Sequence, residues 1–227
     1  MANRKKQWEE KRHKRLEAEA AAAAAARRKR LMTRAALGAG VVVVAAVVAI
    51  LAASGGGSSK VHGVGSTAGL QTTAVPWAPE TTQLTTRLQA LNLPAQSDAA
   101  YHVHAELVVY VNGHKAPVPA QIGIDPQGQF LAPLHTHDTS GVIHIEAAQQ
   151  YPFTLGQFFT IWGVKFTDTQ LGGYTAVGGN VLRAYANGKP ITHPVTYVMQ
   201  PHDLILVGFG RPGSFPTRYS FGFTAGQ

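Results

Sequence analysis

Hydrophobic and polar positions alternate along two segments of the chain. Residues 101–111 (YHVHAELVVYV) and residues 142–146 (VIHIE) both place apolar side chains at every second position. This period of two predicts half-buried β-strands that turn one face to a core. The opposite faces carry histidines and acids: His102, His104, Glu106, His144 and Glu146.

Two Asn-Gly pairs predict tight turns between strands. Asn112-Gly113 favours a type I′ turn, so we expect residues 118–124 to return as the partner strand. Asn187-Gly188 predicts a second hairpin over residues 181–198 in the same way. The apolar run at residues 203–209 is typical of a buried strand.

Two other segments follow the helical period. Leucines spaced three and four residues apart predict a short amphipathic helix over residues 80–91 that packs on the domain. Thr154 and Gln157 have the spacing of a capping box, and an apolar segment follows them as far as Gly163, which favours a helix end.

The order of these elements predicts the class of fold. Hairpin, helix, hairpin and final strand indicate an α+β domain over residues 80–227, rich in β-structure, with a mixed or antiparallel sheet and one main helix. A β-grasp-like second half is one form of this prediction. A pure β-sandwich is the alternative.

The N-terminal part of the chain has the pattern of a membrane anchor. Residues 35–53 are an uncharged, Val/Ala-rich stretch, and a helix of this length spans about 28 Å, close to the hydrocarbon core of a bilayer. Residues 1–34 contain twelve Lys or Arg and four Glu. Residues 4–30 are rich in Glu, Lys, Arg and Ala, which favour a helix. The positive-inside rule predicts that this basic tail is cytoplasmic and that the C-terminus is extracytoplasmic.

We interpret the span as an uncleaved signal anchor in the cell membrane, crossed once. A cleaved signal peptide is the competing interpretation, but the charged region before the span is much longer than a signal peptide has. Residues 54–79 are rich in Gly, Ser and Thr and predict a flexible stalk. The lipid bilayer is thus the first predicted partner.

Charge and cysteine content narrow the function classes. Beyond residue 34 the chain has eight basic and eight acidic residues, so the C-terminal domain lacks the basic surface typical of nucleic-acid binding. The basic tail can bind RNA or acidic lipid, but a solvated helix that sets orientation is preferred. The absence of cysteine excludes disulfides, thiolate catalysis, sulfur-bound zinc and blue copper.

The histidines are the candidate chemistry. Residues 134–146 (LHTHDTSGVIHIE) contain three of them about thirty residues after the first His-x-His pair. Nitrogen and oxygen ligands without sulfur suit Zn²⁺ or Cu²⁺. The predicted metal ligands are His102, His104, His135 and His137. Further ligands, or groups that orient the imidazoles, are Glu106, Asp138, His144 and Glu146.

Three other interpretations stay open. The histidines can simply satisfy polar groups beside a turn that starts at Asp138. The domain can instead be a structural module, or one that binds a cell-envelope protein without metal. A metal-dependent hydrolase or hydratase is the remaining alternative, with His135, His137 and Glu146 as the residues to test.

Several segments resemble a family of membrane-anchored proteins found mainly in actinobacteria and related prokaryotes. The shared segments are HVHAELVVYVNG, IGID, PLHTHDTSGVIHIE, FTLGQFFTIWGV and YANGKPI, which span roughly residues 80–210. The resemblance implies the same architecture and location, and it implies no particular reaction. Members often carry two cysteines near the LGGY segment, where this chain has Gln170 and Thr175, so a disulfide or thiol role does not carry over.

Overall fold

The computed structural model describes residues 68–95 and 100–223. The predicted cytoplasmic tail, the predicted span at residues 35–53 and residues 54–67 of the predicted stalk lie outside them. Within the described residues, no helix is long and apolar enough to cross a membrane.

The described residues form an α+β fold with nine strands, two α-helices and one short 3₁₀-helix (Pro194–Thr196). The helices are α1 (Leu84–Ala90) and α2 (Leu155–Trp162). The strands are β1 (Tyr101–Val111), β2 (His114–Ala116), β3 (Leu134–His135), β4 (Val142–Ala147), β5 (Gln170–Leu171), β6 (Tyr174–Thr175), β7 (Val181–Ala186), β8 (Lys189–Ile191) and β9 (Leu204–Gly210).

The main sheet is mostly antiparallel and contains one parallel pair, which agrees with the predicted mixed or antiparallel sheet. Its strand order is β3-β4-β1-β9-β7-β8, and β2 pairs with the C-terminal end of β1. Only the β1–β9 pair is parallel among the strands described. Strand β1 therefore lies in the middle of the sheet, with β4 on one side and β9 on the other.

The two faces of β1 have different surroundings. The apolar residues of the predicted inner face, such as Leu107 and Val109, belong to the main core together with Phe158 and Trp162 of α2. On the other face, Val108 packs with Phe215 from the C-terminal segment. That segment covers only part of the face, and the histidines occupy the part formed by the N-terminal half of β1.

The first predicted hairpin is correct at its turn and wrong in its returning strand. Asn112 and Gly113 both have positive φ, 51° and 88°, as a type I′ turn requires. The returning strand is β2, only three residues long, and residues 118–124 form no strand. Pro117 and Pro119 explain the early end, because proline has no N–H to donate to a neighbouring strand.

The capping box of α2 is confirmed. The Thr154 hydroxyl accepts from the Gln157 amide at 3.2 Å, and the Gln157 side chain accepts from the Thr154 amide at 2.9 Å. Gly163 ends the helix at φ 82°, a left-handed conformation that favours glycine. All eight residues of α2 are buried, so this helix is the centre of the core rather than a surface element.

Part of the predicted stalk belongs to the folded domain. Trp77 is buried, and its ring meets that of Trp162 edge to face with centroids 5.9 Å apart. Gln71 forms a β-bridge with Val164. Residues 71–77 therefore pack on the domain, and the domain's described part begins before the predicted boundary at residue 80. The apolar contacts of Trp77 hold this segment on the domain, although its Gly, Ser and Thr content is typical of a flexible linker.

Candidate metal centre

Three neighbouring strands bring the predicted ligands to one face of the sheet. In the β1–β4 pair, His104 lies opposite His144 and His102 lies opposite Glu146. In the β3–β4 pair, His135 lies opposite the same His144. Residues directly opposite each other in a sheet point to the same face, so side chains from β1, β4 and β3 meet there. We call the five rings the imidazole cluster: His102, His104, His135, His137 and His144.

Gly141 sets the approach of β4 to β1. Its φ is 93°, and a Cβ atom at this position would lie only 2.3 Å from the Leu107 carbonyl oxygen. The Leu107 amide donates to the Gly141 carbonyl at 2.9 Å. Glycine is thus required where the turn after Asp138 enters β4, and this close contact holds His144 opposite His104.

Three ring nitrogens converge on the β1 side of the cluster. His102 Nε2 lies 3.2 Å from His144 Nδ1, and His104 Nε2 lies 3.1 Å from the same atom. The three residues can each place one ligand atom within 4.8 Å of the others. Bonds of about 2.0–2.1 Å to a tetrahedral ion put nitrogens about 3.3 Å apart, so the observed spacings fit a shared cation.

A second group lies on the β3 side. His135 Nε2 and His137 Nε2 are 3.2 Å apart, and His144 again completes a set with ligand atoms within 4.8 Å. The four predicted ligands therefore do not form one group in the described residues. They divide into two pairs, and each pair is completed by His144.

Glu146 adds a carboxylate between the two pairs. Its Oε1 lies 3.3 Å from His102 Nε2 and 3.8 Å from His135 Nε2. The side chain is largely buried, so its charge acts through little water. This is the position that the sequence allowed for a further ligand or an orienting acid.

Burial keeps several imidazoles neutral. Desolvation, followed by the neighbouring His102, lowers the pKa of His104 from 6.5 to about 4. Desolvation and the adjacent His104 lower the pKa of His144 to about 3. Desolvation also lowers the pKa of His135. Near pH 7 these rings therefore carry lone pairs, which metal coordination requires.

Glu106 and Asp138 lie outside the two groups. Glu106 is buried, its Oε2 has no hydrogen-bond partner in the described part of the chain, and desolvation raises its pKa. Asp138 accepts from the Ser140 amide at 2.8 Å and from its hydroxyl, and these hydrogen bonds lower the pKa of Asp138. Asp138 thus stabilises the turn at residues 138–141, as the structural interpretation of residues 134–146 predicted.

Sequence reasoning underestimated two histidines. His144 was expected only as an additional ligand, yet it is common to both groups. The His202 amide donates to the His104 carbonyl at 2.6 Å, and the His202 ring is near enough to lower the pKa of His104. The alternation of residues 142–146 was the available signal for His144. His202 follows a proline in a turn, and no local pattern indicates its position.

Comparisons of this chain with protein-family models, with curated proteins and with solved structures find no match. The resemblance to a family of membrane-anchored proteins stays a prediction.

Proposed function

We propose that this protein binds a divalent transition metal, Zn²⁺ or Cu²⁺, through His102, His104 and His144. The observation that carries the proposal is the convergence of the His102 and His104 Nε2 atoms on His144 Nδ1 at 3.2 and 3.1 Å. Neutral imidazole nitrogen without sulfur is a ligand set that both ions accept.

Hydrogen bonding alone satisfies this arrangement poorly. A neutral imidazole has one N–H and one lone pair, so a contact between two ring nitrogens needs a hydrogen from one of them. His144 Nδ1 faces two other nitrogens at once. Either it donates one hydrogen to two acceptors, or it accepts from two donors with one lone pair. A cation between the three nitrogens uses all three lone pairs.

The proposed location of this site is the outer side of a cell membrane. The support is in the sequence: an uncharged stretch at residues 35–53 follows a tail with twelve basic residues. On this proposal, the domain presents its metal site outside the membrane on a chain that crosses it once.

The experiment is calorimetric titration of the full chain, purified in detergent with an affinity tag that contains no histidine. We expect Zn²⁺ or Cu²⁺ to bind with micromolar or tighter affinity at pH 7.5. The His104→Phe variant should bind at least about 100-fold more weakly, because it removes a ligand that is held in place by burial.

His114→Phe is the matched control, since His114 is an exposed histidine on β2 at the other end of β1. It should bind as the unmodified chain does. No uptake of either ion at micromolar concentration would overturn the proposal and leave the structural or interaction-module interpretation. Equal weakening by both variants would also overturn it, because binding would then be non-specific.

A further inference from the structure

The second group of imidazoles has the same number of ligands as the first. His135 Nε2 and His137 Nε2 lie 3.2 Å apart, and His144 supplies a third nitrogen within 4.8 Å of both. Only His144 is common to both groups. Two sets of three ligands around one shared ring are more than a single ion requires.

A hydrogen bond to the backbone holds the His135 ring in the orientation of a metal ligand. Its Nδ1 lies 2.9 Å from the Ala132 carbonyl oxygen, which can only accept, so Nδ1 carries the hydrogen. The lone pair of the neutral ring is then on Nε2, the atom that faces His137. An imidazole whose other nitrogen donates to a backbone carbonyl is the usual arrangement of a metal-bound histidine.

The ring of His144 lies between the two groups. Its Nδ1 faces the His102 and His104 nitrogens. The two nitrogens of an imidazole lie on different sides of the ring, so a ring that binds one ion through Nδ1 can bind a second ion through Nε2. On the β3 side, the His144 ring stacks on His135 with centroids 5.2 Å apart and meets His137 edge to face at 4.5 Å.

We infer that the imidazole cluster holds two divalent ions, one in each group, bridged by the His144 ring. This inference rests on the proposed function and extends it to a centre of two metals. Glu146 Oε1 lies 3.3 Å from a nitrogen of the first group and 3.8 Å from one of the second. Its negative charge offsets part of the repulsion between two neighbouring cations.

The bridge changes the protonation of His144. The neutral ring holds one hydrogen, and bonds from both nitrogens to metal leave no place for it. This proton passes to water, and the ring becomes an imidazolate anion bonded to both ions. Binding of the second ion therefore releases this proton from His144, in addition to any proton that the other ligands release.

The first measurement is the number of Zn²⁺ ions per full chain after loading and gel filtration in detergent, by elemental analysis. We expect two for the unmodified chain, and one for His137→Phe and for His102→Phe. Both rings are exposed, so neither replacement disturbs the core. The control His114→Phe should keep two ions.

The second measurement uses Cu²⁺ and electron paramagnetic resonance. Two Cu²⁺ ions joined by an imidazolate couple magnetically, which suppresses the signal of the loaded, unmodified chain. His137→Phe should restore the signal of an isolated Cu²⁺ ion. Two bound ions with an uncoupled signal would overturn the bridge.

The outcomes separate this inference from the proposed function. One ion in the unmodified chain that His137→Phe leaves in place would overturn the second ion and keep the first site. One ion that either variant removes would mean a single site shared by both groups, which also overturns the inference. No ion at all would overturn both proposals.

Discussion

Asp203 and the imidazole cluster are polar groups beside the same strand, β1, but the partners of their polar atoms differ. The Asp203 carbonyl accepts from the Glu106 amide of β1 at 2.9 Å, and His102 and His104 lie on β1 itself. The buried Asp203 carboxylate accepts from the Asn187 amide nitrogen at 2.8 Å, the Tyr197 hydroxyl at 2.7 Å and the Gln200 amide at 2.8 Å. Every contact joins a donor to an acceptor. In the imidazole cluster, by contrast, three contacts join one ring nitrogen to another.

The difference separates a structural polar group from a binding site. The buried Asp203 carboxylate has three donors within the protein, and these hydrogen bonds tie the turn before β9 to the turn after β7 and to Tyr197, which follows the 3₁₀-helix. In the imidazole cluster, His144 Nδ1 has one hydrogen or one lone pair but faces two other ring nitrogens, so hydrogen bonds do not satisfy both contacts fully. Removing Asp203 should therefore change stability, whereas removing a cluster histidine should change binding.

Asp203→Ala should have the largest effect on stability. Three hydrogen bonds to a buried carboxylate are lost, and a hydrogen bond to a charged group contributes about 1.5–3 kcal/mol. Because water can reach the exposed Asn187 and Gln200, we expect the free energy of unfolding to fall by about 3 kcal/mol rather than by the full sum. Denaturant unfolding of the metal-free chain, followed by tryptophan fluorescence, measures it. Asp168→Ala is the control, since Asp168 is an exposed acid paired with exposed His193, and it should cost less than about 0.5 kcal/mol. A loss for Asp203→Ala as small as that of the control would break the comparison.

Acid should destabilise the metal-free chain through the imidazole cluster. The pKa of His104 is lowered to about 4 and that of His144 to about 3, whereas unfolded histidine has a pKa near 6.5. The unfolded chain therefore binds protons first, and stability present above pH 6.5 is lost as the pH falls towards 4. Unfolding curves at pH 7.5, 6.0 and 4.5 measure the slope. His104→Phe should flatten it, and an unchanged slope would contradict the assignment.

The smallest effect should be that of His104→Phe on the stability of the metal-free chain at pH 7.5. His104 is buried, but its side-chain contact in the cluster is to another imidazole nitrogen, and an apolar ring of similar shape replaces it at little cost. We expect a change below about 1 kcal/mol, measured by the same unfolding curves as for Asp203→Ala. A loss near 3 kcal/mol would show that the cluster is structural.

The local features of the fold were predictable because neighbouring residues determine them. The bounds of β1, the turn at Asn112-Gly113 and the capping box of α2 all agree with the sequence pattern. The return of the first hairpin was not predicted correctly. Residues 118–124 alternate like a strand, but the prolines on either side of Val118 leave too few N–H groups for pairing.

The sequence by itself determined that His102, His104, His144 and Glu146 lie on the polar faces of two strands, since alternation assigns every side chain of a strand to one face. It also determined the basic N-terminal tail and the uncharged stretch that follows it. Only the tertiary structure decided that His144 lies between His104 and His135. Which strands are neighbours, and which residues lie opposite each other, depends on hydrogen bonds and core packing between segments far apart in the chain, and no local pattern records them.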